Sequence, residues 1–224
     1  MTETSAKRVG VVLAGCGFLD GAEIQEATLT LLALDQRGAE IVAMAPDIPQ
    51  MHVVDHQAQS PSEEARRNVL TESARIARCE IQDIASVDPS ELDAIIFPGG
   101  FGAAKNLCSF AVEGPEGSIN PDVANMIKAM RKANKPLGFM CIAPALAAFA
   151  LGHDYGVTLT IGNDADTAAG LEALGAKHQD CPVDEIVFDE ANRVVSTPAY
   201  MLGPSIAHIH RGIDKLVEKV IALA

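Results

Sequence analysis

The residues best placed to do chemistry sit at three glycine-marked junctions. The sharpest is Gly138-Phe139-Met140-Cys141-Ile142-Ala143-Pro144. An apolar run meets a small-residue run with a thiol at the joint, the pattern of a nucleophile elbow. The amides that open the following helix would favour a thiolate. The amide of Ile142, just after the thiol, could also donate to an oxyanion. The same pattern fits a buried core cysteine, because free thiols are among the most buried side chains. The second junction is Phe97-Pro98-Gly99-Gly100-Phe101-Gly102. Its glycines leave amides uncovered, as an oxyanion site requires, and also suit a plain turn.

The third junction runs from Gly15-Cys16-Gly17 through Asp20-Gly21 to Glu26. The spacing of Gly15, Gly17 and Gly21 misses the GxGxxG pattern, and no Gly-Lys-Ser/Thr follows. Asp20 and Glu23 have the spacing of a capping pair, which makes Glu23 structural. Glu26, one turn further on, is expected either on a solvated helix face or in the crevice. In the crevice, desolvation would keep its carboxyl protonated beside a Cys141 thiolate, to hydrogen-bond it and relay a proton. Asn163-Asp164-Ala165-Asp166 could suggest a metal pair, but its place after a strand favours a helix cap.

Alternating strands and helices position these junctions. Strands are expected at 9–14, 41–45, 92–97, 136–140, 157–161, 185–188 and 194–196. Helices are expected at 24–37, 62–78, 121–132, 142–151 (ending at Gly152) and 206–224. The polar stretch 52–62 reads as a surface excursion. This order implies an α/β fold, a doubly wound and mainly parallel sheet with helices on both faces, over one domain of residues 1–224. Strands rich in Val, Ile and Phe without clean alternation fit burial on both faces. Sites in such folds lie at the carboxyl ends of the strands, where all three junctions fall.

Of the 224 residues, 48% are hydrophobic and 21% charged, which excludes a disordered chain. Seventeen Lys and Arg against thirty Asp and Glu give a net charge of −13, which argues against nucleic acid and against an anionic membrane surface. No apolar run is long enough to span a bilayer. Five cysteines, an odd number with no CxxC pair, argue against disulfide scaffolds and zinc ribbons. Free thiols and a polar start over residues 1–8 lead to the expectation of a cytosolic protein. Cys141 is the candidate nucleophile; Cys16, Cys79, Cys108 and Cys181 read as structural.

Taken together, the chain resembles the ThiJ/PfpI superfamily, a branch of the flavodoxin-like class I glutamine amidotransferase fold, and within it the ElbB proteins. The similarity is carried by Gly15-Cys16-Gly17, by residues 98–107 and by 136–144. It continues through Leu159-Thr160-Ile161-Gly162, Cys181-Pro182-Val183-Asp184 and residues 197–202. It implies Cys141 as nucleophile, Glu26 as the neighbouring acid, and Gly100 and Ile142 as oxyanion donors. It implies no metal, no organic cofactor and a homodimer. The activity it implies is a glutathione-independent glyoxalase converting glyoxal or a related 2-oxoaldehyde to a 2-hydroxy acid, with an isoprenoid-pathway accessory as one alternative; a low-pKa thiol beside a carboxyl offers a redox sensor as another. Two departures stand out. Many members carry Ala-Gly-Pro or Gly after the nucleophile, where this chain has Ile142-Ala143-Pro144. Many also carry a histidine at the position of Gly162, so a Cys–His–acid triad is not intact. None of the six histidines sits at an obvious strand end.

Overall fold

The computed structural model describes residues 6–224; residues 1–5 of the polar N-terminal stretch lie outside it. In chain order the strands are β1 (Arg8–Val12), β2 (Glu40–Ala45), β3 (Val54–Asp55), β4 (Ser60–Pro61), β5 (Gln82–Asp83) and β6 (Ala94–Phe97). They continue with β7 (Leu137–Met140), β8 (Thr158–Leu159), β9 (Lys177–His178), β10 (Val187–Asp189) and β11 (Val194–Thr197). The helices are α1 (Ile24–Gln36), α2 (Val69–Ile76), α3 (Phe101–Lys105), α4 (Phe110–Glu113), α5 (Pro121–Lys132), α6 (Pro144–Tyr155), α7 (Ala165–Ala173) and α8 (Ile206–Leu223).

Seven strands form one sheet in the order β10-β11-β7-β6-β1-β2-β5. All its pairings are parallel except β10 with β11. The chain leaves β1 for β2 on one side and returns with β6 on the other. The crevice above this reversal is where such sheets bind ligands. Val9, Val11 and Val12 of β1 and all of β6 and β7 are buried, because helices cover both faces. Phe97 pairs in register with Phe139, and their rings stack 4.9 Å apart. α1 and α8 pack together, with α8 also lying on β7 and β11; α5 and α6 pair and cover β7 from the other face.

The expected helix over 62–78 is a correction. Only Val69–Ile76 is helical. Asn68 stands outside the helix in extended conformation and caps it, its side chain accepting from the Thr71 amide at 2.9 Å. Residues 62–67 run over the surface, with Glu63, Glu64, Arg66 and Arg67 exposed. The expected strand at 157–161 shrinks to β8, which pairs with β9 in a separate two-stranded sheet. α6 starts at Pro144, not at 142, and does not end at Gly152. It runs to Tyr155, where Gly156 takes the left-handed cap. Asp164 caps α7 by accepting from the Thr167 amide at 2.8 Å, the cap reading of that acidic pair. The excursion at 52–62 contains the hairpin β3–β4. No described helix is long and apolar enough to cross a membrane.

Candidate active site

The end of β7 turns at once into α6, and Cys141 occupies the turn. Its φ of +58° is a left-handed conformation, uncommon for a residue with a side chain. The turn is pinned from both sides. The Cys141 amide donates to the Thr197 carbonyl at 3.0 Å, and the Ala143 amide to the Met140 carbonyl at 2.9 Å. Pro144 then opens the helix, where its missing N–H costs nothing. This is the expected elbow geometry.

Glu26 reaches the same point from α1, on the far side of the β1–β6 crevice. It is fully buried, and Cys141 is 8% exposed. One carboxylate oxygen accepts from the Gly99 amide at 2.9 Å, and the other from the Tyr200 amide at 3.1 Å. The carboxyl and the Cys141 thiol both flank Gly99: a Cβ there would lie 2.7 Å from a carboxylate oxygen and 3.0 Å from the sulfur. Gly100 and Ile142 line the same pocket as Cys141, and their amides work against the rise of the thiol pKa. All four residues singled out in the sequence are therefore brought together.

The expected rise of the Glu26 carboxyl through desolvation is met, whereas the expected Cys141 thiolate is not. Burial pushes Glu26 up to about 7, against the pull of the Tyr200 and Gly99 amides. Burial, and next the Glu26 charge, push the Cys141 thiol well above its ordinary value, and the Gly100 and Ile142 amides do not offset this. Near neutral pH the sulfur keeps its proton while Glu26 passes between acid and carboxylate, and the carboxylate form is the one poised to receive the thiol proton. The helix terminus loses to desolvation because both groups are buried side by side.

Glu23 does cap α1, its carboxylate accepting from the Glu26 amide at 2.6 Å, but Asp20 is not its capping partner. Asp20 is buried and turned toward the β3–β4 hairpin, accepting from the Val54 amide at 2.7 Å. Its loop closes on itself instead, through the Gly21 amide and the Gly17 carbonyl at 2.6 Å. Glu23 also lines the pocket above Cys141, and burial raises its pKa. Of the other thiols, Cys108 and Cys181 are buried, and burial pushes them up to about 12 and about 11. Cys79 is exposed and fills no core position, contrary to its structural reading.

The pocket measures about 760 Å³, and none of the described histidines lines it. Gly162, where relatives place one, has φ +104°, and a Cβ there would meet Leu202 Cγ at 2.7 Å. A histidine cannot be accommodated without rebuilding that turn. His56 and His178 instead receive backbone amides, from Leu19 and Ile161. Among the described residues no three His, Cys, Asp or Glu side chains converge as a metal site.

Two contributors escaped the sequence reading, the amides of Gly99 and Tyr200. Backbone donors leave no residue-type signal, although both lie in stretches shared with the ThiJ/PfpI pattern. Gly99 is also a spacer. A Cβ there would lie 2.5 Å from Cys141 Cβ and 2.7 Å from a Glu26 carboxylate oxygen. Gly99→Ala is expected to wedge the pair apart and reduce turnover by about 10²-fold, the scale of a 1 Å misplacement. Steady-state rates at a temperature where the variant is folded test this; wild-type rates would mean that the contact is not needed.

The fold and the thiol elbow define a protein built on the class I glutamine amidotransferase-like fold. No family model matches the chain. A human protein, "Glutamine amidotransferase-like class 1 domain-containing protein 3, mitochondrial", is 49% identical over 227 residues, covering 97% of this chain and 84% of that protein. The rat "ES1 protein homolog, mitochondrial" is 48% identical, covering 96% of this chain and 84% of its own length. The chain belongs to this glutamine amidotransferase-like class 1 family. A solved structure from Ehrlichia chaffeensis, described as an isoprenoid biosynthesis protein with an amidotransferase-like domain, is 37% identical. It superposes with a TM-score of 0.91 over 97% of this chain and 99% of its own. More distant DJ-1 and ThiJ/PfpI structures share the fold alone. The cytosolic expectation is overturned by these relatives. Human, rat and zebrafish proteins are all named mitochondrial, which points to mitochondria. An odd cysteine count with no CxxC pair does not choose among compartments.

Proposed function

We propose that this protein is a cofactor-independent glyoxalase that converts a 2-oxoaldehyde to a 2-hydroxy acid. What carries the reading is one arrangement: a buried thiol and a buried carboxyl side by side against Gly99, with Gly100 and Ile142 next to the thiol in the wall of one pocket.

The chemistry follows from these groups. As the aldehyde carbon approaches, the Cys141 S–H proton passes to the Glu26 carboxylate and the C–S bond forms. The carbonyl electron pair moves onto oxygen, where the Gly100 and Ile142 amides stabilise it. Protonation of that oxygen gives a hemithioacetal. Glu26 then takes the proton from the former aldehyde carbon, giving an enediolate, and returns it to the adjacent carbon, while the hydroxyl proton of the first oxygen passes to the second. The product is a 2-hydroxy thioester. Water cleaves its C–S bond, releases the 2-hydroxy acid and restores the thiol. Glyoxal plus one water thus becomes glycolic acid with no external oxidant or reductant. No histidine is needed, but with one acid–base group serving every step the enzyme is slow.

The redox-sensor alternative is disfavoured by the same geometry, since a sensor thiol is exposed and of low pKa. The expected result is glycolate formation by the purified protein from glyoxal, without glutathione, followed by NMR. No glycolate above the protein-free control would overturn the proposal.

A further inference from the structure

The pocket is far larger than glyoxal needs. At about 760 Å³ it falls in the range of roughly 300–1,000 Å³ that encloses a drug-sized ligand. Its wall is also unusual for this chain, which is poor in aromatics at 4%. Three of the seven phenylalanines (Phe18, Phe101, Phe110) and one of the two tyrosines (Tyr200) line this one pocket. Phe18 and Phe101 are each 46% exposed, so burial of a protein core does not account for them.

Each phenylalanine is held from behind. The Phe18 ring meets the His56 ring edge-on, with centroids 5.6 Å apart. Lys105 Nζ sits 4.9 Å from the Phe101 ring centre while donating to the Leu19 carbonyl at 3.1 Å. The Phe110 ring packs edge-on against Phe149 at 6.2 Å. Rings fixed in this way offer flat apolar contact area at little ordering cost on binding. The charge on the wall has one sign. Among the described lining residues Glu23 is the one formally charged side chain at neutral pH apart from the Cys141 centre, and no Lys, Arg or His joins it. An anionic substituent would lose its water and meet no cation among the lining side chains, Lys105 Nζ being set on the Phe101 ring and engaged with the Leu19 carbonyl.

We propose that the site selects 2-oxoaldehydes bearing an uncharged, flat apolar substituent, an aryl group being the best fit, and discriminates against carboxylate- or phosphate-bearing ones. The inference rests on the aldehyde chemistry proposed above. The same carboxylate would speed release of the acid product, which leaves negatively charged.

The test compares phenylglyoxal, glyoxal and 4-carboxyphenylglyoxal with the full-length chain. Phenylglyoxal is expected to exceed glyoxal by about tenfold or more in kcat/KM, chiefly through KM. The added carboxylate is expected to erase that advantage, and Glu23→Gln, which keeps a capping oxygen, to restore part of it. Phe110→Ala should lower the phenylglyoxal-to-glyoxal ratio. Equal or better use of glyoxal, or indifference to the carboxylate, overturns the selectivity. If no aldehyde is turned over, the glyoxalase reading fails by itself. Binding then decides the pocket's preference, by calorimetry of acetophenone and benzoate on Cys141→Ser. Acetophenone binding that weakens in the Phe110→Ala double variant, with no benzoate binding, upholds the selectivity. Absence of acetophenone binding, or equal benzoate binding, overturns it.

Discussion

Cys141→Ser is expected to lower glycolate formation from glyoxal by about 10³-fold or more while leaving the protein folded. Serine retains the Cβ and a donor of similar reach, so the φ of +58° and the bond to the Thr197 carbonyl persist. What it lacks is acidity. A carboxyl near 7 can take a proton from a thiol that is turning into a C–S bond, but it is a poor base toward an alcohol. The two amides remain in the variant, so any residual rate reports their contribution and that of binding. Far-UV circular dichroism and a melting curve close to wild type establish that the fold is intact. A folded serine variant with wild-type turnover would remove Cys141 from the chemistry and with it the thioester route. Peroxide treatment separates the sensor alternative: the shielded, raised thiol of Cys141 is expected to oxidise after the exposed Cys79, as read by peptide mass.

The parts of this site that were legible in the sequence share a physical property. Cys141, Glu26, Gly100 and Ile142 lie at strand ends or in the first helical turn after one, and parallel-sheet topology brings such positions together whatever the details of packing. β1, β6 and β7 were recognisable because burial on both faces imposes runs of Val, Ile, Phe and Leu. The 62–67 stretch is read as helix because Glu63 and Glu64 stand three residues before Arg66 and Arg67, a spacing that mimics a helical face, while the deciding event is a single Asn68 cap. Gly152 was misread as a stop because a glycine inside a helix and one after it look alike in sequence; Gly156 is the residue with positive φ. The charge state of Cys141 was misread for a deeper reason. Whether a helix terminus or desolvation sets a thiol's pKa depends on how much water the folded pocket admits, and periodicity carries no trace of that.

That balance has a measurable consequence at Glu26. Its carboxyl is fully buried and raised from 4.5 to about 7, so the folded protein holds this proton more tightly than the unfolded chain does. Between those two values the native state binds more protons, and stability must fall as pH rises. The full contribution is present below about 4.5 and is lost by the time pH passes 7, a change of about 3 kcal/mol at about 1.4 kcal/mol per unit. Activity moves the opposite way, because the carboxylate must be ionised to take the thiol proton, so kcat/KM should climb through pH 7. Glu26→Gln separates the two effects from simple damage. The glutamine oxygen can accept from either Gly99 or Tyr200 but not both, and its NH₂ must face the other amide. A pH-independent loss of roughly 1–3 kcal/mol is therefore expected. On top of that offset, the part of the wild-type stability slope between pH 5 and 7 that belongs to this carboxyl should vanish. Turnover should drop by about 10²- to 10⁴-fold and lose its rise through pH 7. Urea unfolding and initial rates over pH 5 to 9 measure both. A glutamine variant that keeps the wild-type slope would show that the titrating group is elsewhere, and one that keeps wild-type turnover would strip Glu26 of its proton-carrying role. The site thus keeps at physiological pH a carboxyl that would be more stably housed in acid, and the cost in stability follows from burying the proton carrier beside the sulfur it serves.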